Sequence, residues 1–185
     1  YNATCAFEGV VDTGAMVGDV ICTPAPGVGT GHTWILYVGG QPAINWNMQG
    51  PITDIAYWGP TSYSPPSVTG VTAASDGLPT AGNGIVTLTG ENFGPVDAEN
   101  IVSATFSNAQ VSGSALTGSC SVTVGHTQIE CKVPEGAGVG YKWVVTVGAQ
   151  NSAPSTATMS YSAPVIAGLK APSAGLTTAG GDVVT

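Results

Sequence analysis

The sequence predicts an all-β chain of tandem β-sandwiches, on three grounds: composition, short alternating strands and an internal repeat. Of 185 residues, 27 are Gly, 13 are Pro and only 8% are charged. That is rich in turn formers and too poor in Glu, Lys and Arg for a coiled coil or a long helical bundle. A hydrophobic content of 43% separates it from disordered chains, which pair low hydrophobicity with high charge. No stretch shows helical periodicity.

The strands follow in order within residues 65–162. Ile85-Val-Thr-Leu-Thr89 is β-branched and bounded by glycines. Val102, Ala104 and Phe106 alternate with polar residues, as a half-buried strand requires. Cys120, Val122 and Val124 alternate up to a turn at Gly125-His126, and Ile129 and Cys131 return. Trp143, Val145 and Val147 share one face, and Ala157, Met159 and Tyr161 are expected to do the same. Short strands with regularly spaced turn signals read as a sandwich.

The repeat sets the architecture. Cys22, Gly27, Gly29, Gly31, Trp34, Val38, Gly39 and Gln41 recur without a gap as Cys131, Gly136, Gly138, Gly140, Trp143, Val147, Gly148 and Gln150, a constant offset of 109. Ser62-Tyr63-Ser64 recurs as Ser160-Tyr161-Ser162, and Ala81-Gly82 with Ile85-Val86-Thr87 as Ala179-Gly180 with Val183-Val184-Thr185, at an offset of 98. The first copy therefore carries 11 extra residues between Gln41 and Tyr63. Three parts are expected: residues 1–64, the C-terminal part of one copy with an insertion near 42–61; residues 65–162, a complete copy; and residues 163–185, the first strands of a third. The simplest reading is a segment of a longer tandem array.

Four cysteines allow three pairings. The hairpin brings Cys120 to Cys131, and the repeat places Cys5 and Cys22 in the matching positions, so Cys5–Cys22 and Cys120–Cys131 are the expected disulfides. Even cysteines, few charges and a sequon at Asn2-Ala3-Thr4, which marks Asn2 for glycosylation, favour an extracellular or cell-surface setting. Ser62, Ser64, Ser67, Ser152, Ser155, Thr156 and Thr158 lie near prolines and read either as O-glycosylation candidates or as ordinary polar loops.

Taken together, these residues resemble the IPT/TIG family, immunoglobulin-like domains found in plexins, related receptors and transcription factors and in many tandem-repeat surface proteins. The resemblance is carried by Ala81-Gly82 through Ile85-Val-Thr-Leu-Thr-Gly90-Glu-Asn92-Phe93-Gly94. It continues in the hairpin from Cys120 to Ile129-Glu-Cys131, in Pro134-Glu-Gly136-Ala-Gly138 and in Tyr161-Ser-Ala-Pro164-Val-Ile166. It implies early-set immunoglobulin-like sandwiches with a binding or structural role and no catalytic residues.

The function classes narrow accordingly. Eleven acidic residues against Lys132, Lys142 and Lys170, with no Arg, give a net charge of −8, the wrong sign for phosphate contacts, so nucleic acid is not an expected partner. No apolar run reaches the roughly 18 residues of a membrane span. No catalytic constellation, metal set or cofactor motif is expected. His32 and His126 lie in no nucleophile motif, and Asp97-Ala-Glu99-Asn100 lacks the pattern of a calcium loop. Trp34 and Trp143 occupy equivalent places and are assigned packing roles. Trp46, Tyr57 and Trp58 stand in the apolar insertion and form the candidate contact surface: a protein contact, a platform for glycans, or a hairpin covering its own core. The leading reading is a structural extracellular protein that self-associates or stacks on neighbouring repeats into a filament, appendage or surface coat. The alternative is an adhesin or a carbohydrate- or protein-binding module of a surface receptor or secreted enzyme.

Overall fold

A computed structural model describes residues 2–12, 15–42, 60–73, 77–96, 102–108, 115–172 and 175–185. The first element is a hairpin, β1 (Ala3–Asp12) with β2 (Ala15–Pro24), followed by the short pair β3 (Tyr37–Val38) and β4 (Gln41–Pro42). Then come β5 (Ser67–Ala73), β6 (Ile85–Glu91), β7 (Val102–Ser107), β8 (Leu116–Val124), β9 (Gln128–Lys132), β10 (Lys142–Val147) and β11 (Gln150–Asn151). These last seven form one antiparallel sheet in the order β11-β10-β7-β8-β9-β6-β5.

The layers expected of a sandwich are thus halves of one continuous, curled sheet. Its β9 hydrogen-bonds to β8 on one side and β6 on the other, which joins the two halves. Curling brings β5 back against β10. Bulges between Val68 and Gly70 and between Val122 and Val124 add the twist that curling needs. A parallel bridge between Leu78 and Tyr161 ties the two ends together.

Alternation places the core. Val86 and Leu88 on β6, Val102, Ala104 and Phe106 on β7, and Trp143, Val145 and Val147 on β10 are all buried, and the polar residues between them face outward or lie half-buried. Each of these side chains larger than alanine contributes about 1.5–3 kcal/mol by leaving water. The Phe106 ring lies 4.4 Å from that of Trp143 and meets Tyr141 edge-on, and Tyr141 meets Tyr161 edge-on. The segment Glu91-Asn-Phe-Gly94 is pinned beneath the β8–β9 turn: Phe93 N–H donates to the His126 carbonyl, and His126 N–H to the Gly94 carbonyl. His126 holds a φ of 66° and is exposed, so it serves the turn itself.

One expected strand is absent as such. Met159 and Tyr161 are buried and Ala157 half-buried, but residues 157–161 make only isolated bridges, Met159 to Tyr141 and Tyr161 to Leu78. The chain is crossing from the edge of β10 to Leu78 and cannot keep one partner. Upstream, two serine hydroxyls take over the edge of β10. Val145 N–H donates to Ser152 Oγ at 3.0 Å and Trp143 N–H to Ser155 Oγ at 2.9 Å. Ser152 and Ser155 are buried, so neither has room for an O-glycan; Ser62, Ser64, Thr156 and Thr158 are exposed.

Candidate functional site

Trp46, Tyr57 and Trp58 lie outside the described residues, as do Asp97, Glu99 and Asn100. Attention therefore falls on residues 22–42 and 60–66, and on how they meet the seven-stranded sheet. The disulfides set the frame. Cys5 and Cys22 face each other across β1 and β2, Cys120 and Cys131 across β8 and β9, and both pairs are closed.

The same bonds recur around the two tyrosines. Tyr161 N–H donates to the Gly138 carbonyl, and Tyr63 N–H to the Gly29 carbonyl, each at 2.9 Å. Tyr161 OH donates to the Pro134 carbonyl and Tyr63 OH to the Ala25 carbonyl. Gly140 N–H donates to Ser160 Oγ and Gly31 N–H to Ser62 Oγ, each at 3.2 Å. Tyr141 bridges Met159, and His32 bridges Thr61; Tyr141 meets Tyr161 edge-on, and His32 meets Tyr63 edge-on. Each pair of residues differs by 109 on one side and 98 on the other. The backbone follows suit: φ is 101° at Gly29 and 112° at Gly138, and 70° at both Gly31 and Gly140, values that favour glycine.

Two differences between the copies matter. Trp143 is fully buried and its Nε1–H has no partner among the described residues, whereas Trp34 is half-buried and its Nε1–H donates to Thr61 Oγ1 at 2.8 Å. Met159 stands where Thr61 does in the first copy, which removes the acceptor. Phe106 packs on Trp143, but beside Trp34 there is a groove of about 470 Å³, lined by Asn2, Ala3, His32, Thr61 and Tyr63.

Residues 28, 29 and 63 also touch the seven-stranded sheet. Val28 packs against its core, the β10–β11 turn at Gly148-Ala149 sits on Gly29, and Gln150 Nε2–H donates to the Tyr63 carbonyl at 3.0 Å. Burial, and after it the neighbouring Tyr141 phenol, push the Tyr161 phenol above the ordinary tyrosine range. The Asp182 carboxylate accepts both the N–H and the hydroxyl of Thr177, which holds its carboxyl below the usual range. Among the described residues no three His, Cys, Asp or Glu side chains gather where they would hold a metal ion. Within the same limit, no helix is long and apolar enough to cross a membrane.

The IPT/TIG domain family model matches residues 66–161, just over half of the chain. The chain belongs to the IPT/TIG family. No curated protein and no solved structure matches it. The IPT/TIG match spans β5 to β11 and the crossing segment through Tyr161, and so covers the whole buried core. Residues 66–161 thus form an immunoglobulin-like IPT/TIG domain.

Nothing in the sequence marked the joint beforehand. Gly29 and Gly148 are both visible as repeat glycines, but their meeting is a contact between residues more than a hundred positions apart.

Proposed function

We propose that this chain is a section of a structural extracellular protein in which IPT/TIG domains stack in tandem to build a filament, an appendage or a surface coat. The observation that carries the reading is the recurrence around Tyr63, in residues 22–63, of the bonds made around Tyr161, at offsets of 109 and 98 and beside a complete domain. On this reading residues 1–64 are the C-terminal part of one copy, with the insertion near 42–61, and residues 65–162 are the next. The groove at Trp34 is then the place that a strand bearing the counterpart of Phe106 fills. Residues 163–185 begin a third copy. In support, Lys170 and Thr185 exchange backbone hydrogen bonds in the register in which Thr72 faces Thr87. Ile166 and Leu169 are 78% and 76% exposed, while their counterparts Val68 and Val71 pack on the core.

The two disulfides and an exposed Asn2 in a sequon support an oxidising, extracellular site. Electron microscopy of the native secreted material tests the proposal. Regular filaments with a repeat of one or two domain-sized beads are expected; isolated particles would overturn it. The groove favours a second reading, a glycan- or protein-binding module, because an aromatic ring beside polar groups suits sugar stacking. That reading requires saturable binding on a glycan array, abolished by Trp34→Ala.

A further inference from the structure

Each copy carries two complementary features, a Gly-rich turn and a small hairpin turn. In the first copy the Gly-rich turn, residues 27–31, is covered: Gly29 is buried and Val28 packs against the core of the complete domain. What covers it is the hairpin turn of that domain. A Cβ built on Gly148 would lie 2.5 Å from the Gly29 nitrogen and 2.6 Å from its Cα, so the two backbones touch. Gln150, next to the turn, fastens the contact through the Tyr63 carbonyl. In the complete domain the matching turn, residues 136–140, is the more exposed among the described residues, 136–138 against 27–29, although Asn108 Nδ2–H donates to the Val139 carbonyl. Gly138 is half-exposed, Ala137 is exposed, and Val139 is 59% exposed. Conversely, at the first copy's own hairpin turn, Gly39-Gly40, no described residue lies within 4 Å of a Cβ built on either glycine. This turn repeats the left-handed geometry of Gly148-Ala149, with φ of 59° and 80° against 53° and 63°.

We infer that the turn at residues 136–140 is a seat for the hairpin turn of a following copy of the same domain, whose glutamine reaches the Tyr161 carbonyl as Gln150 reaches that of Tyr63. Seat and plug are different surfaces of one domain, so the contact is head-to-tail and leaves one of each unused at the two ends. The inference rests on the tandem reading above and adds to it the joint by which copies are fixed.

The joint already present is tested first, in the 185-residue chain with Gly148→Asn. Asn suits a left-handed hairpin position, so the β10–β11 turn survives, but its Cβ cannot approach Gly29. Hydrogen exchange followed by mass spectrometry is expected to speed up in residues 27–31 by about tenfold or more, with the buried strands of the sheet unchanged. Unchanged exchange there would overturn the joint. The seat is tested by extending the chain after Thr185 with a second copy of residues 88–162, which completes the third domain. Residues 136–140 are expected to gain about tenfold protection over the parent chain and to lose it when the appended Gly148 is changed to Asn. If the appended copy closes its disulfide while residues 136–140 exchange as in the parent, the seat is wrong and the tandem reading stands. If the appended copy does not close its disulfide, the repeat equivalence fails and both fall.

Discussion

Replacing Ser155 by Ala tests whether hydroxyl groups hold the outer edge of β10. Ser155 is 2% exposed, accepts the Trp143 N–H at 2.9 Å and donates to the Ala157 carbonyl at 2.6 Å. Ala keeps the backbone bond from the Ser155 N–H to the Trp143 carbonyl, but it leaves the Trp143 amide in a dry site without an acceptor. A buried donor stripped of its partner costs about 1–3 kcal/mol. In a domain of this size each kcal/mol moves Tm by roughly 4–8 °C, so a loss of about 2 kcal/mol lowers Tm by roughly 8–16 °C. Scanning calorimetry reads this directly. The control is Ser119→Ala, an exposed position on β8, where the expected change is within about 0.5 kcal/mol. Exchange of the Trp143 amide should quicken in Ser155→Ala relative to its β10 neighbours. A Ser155→Ala melt that overlays the control would refute the reasoning, since it would mean that water reaches the Trp143 amide and that the edge was never dry.

Three further outcomes are expected. Replacing Cys120 and Cys131 together by Ala should lower stability by about 3 kcal/mol, since the short loop they close constrains the unfolded chain; the urea midpoint measures it, and an unchanged midpoint would make the bridge incidental. The raised Tyr161 phenol gives a defined pH dependence. Unfolded tyrosine ionises near pH ~10 while the folded one stays protonated, so the unfolded state binds fewer protons. Stability is therefore fully present below about pH 10 and falls as pH rises through the raised value. Urea midpoints above that pH should fall less steeply in Tyr161→Phe, whose plateau is lower for want of the bond to the Pro134 carbonyl; parallel slopes would sink this account. Finally, changing Trp46 and Trp58 together to Ser should weaken self-assembly by sedimentation while leaving Tm in place, and unweakened assembly would remove the insertion as a lateral contact.

Much of the domain was legible because its periodicities are local. The alternation of Trp143, Val145 and Val147 reads as a buried strand face, and all three are buried. The repeat glycines also announced backbone geometry, since Gly29 and Gly138, like Gly31 and Gly140, adopt nearly the same positive φ. What stayed hidden depends on distant partners. Ala157, Met159 and Tyr161 alternate like a strand, yet the segment changes partner halfway, and alternation says nothing about which neighbour is in reach. Ser152 and Ser155 looked like loop serines near proline. Their role as acceptors for β10 amides exists only because β11 ends at Asn151 and the chain beyond it stays close enough to β10 for a hydroxyl to replace a strand.

The joint also bears on why so little charge is present. At this contact the Gln150 amide donates to the Tyr63 carbonyl, and backbone meets backbone at Gly29 and Gly148. A charged side chain at that contact would have to be desolvated without a partner, which costs several kcal/mol. Gly148 and Gly29 meet closely only because neither bears a side chain, and Val28 adds apolar surface against the core without adding a charge. The linker reinforces this. In Tyr63-Ser-Pro-Pro66 each proline holds the residue before it in extended geometry, so few conformations compete with the seated one. A stiff linker cannot create affinity, but it lowers the ordering cost of a small contact, and the contact in turn selects one of the few orientations the linker permits. Stiffness at the joint therefore comes from the pairing of the two, and loosening either one alone, by Gly148→Asn or by replacing Pro65 and Pro66 with Gly, should free the domains to the same qualitative degree. A chain that stays equally rigid in scattering after both changes would place the rigidity elsewhere.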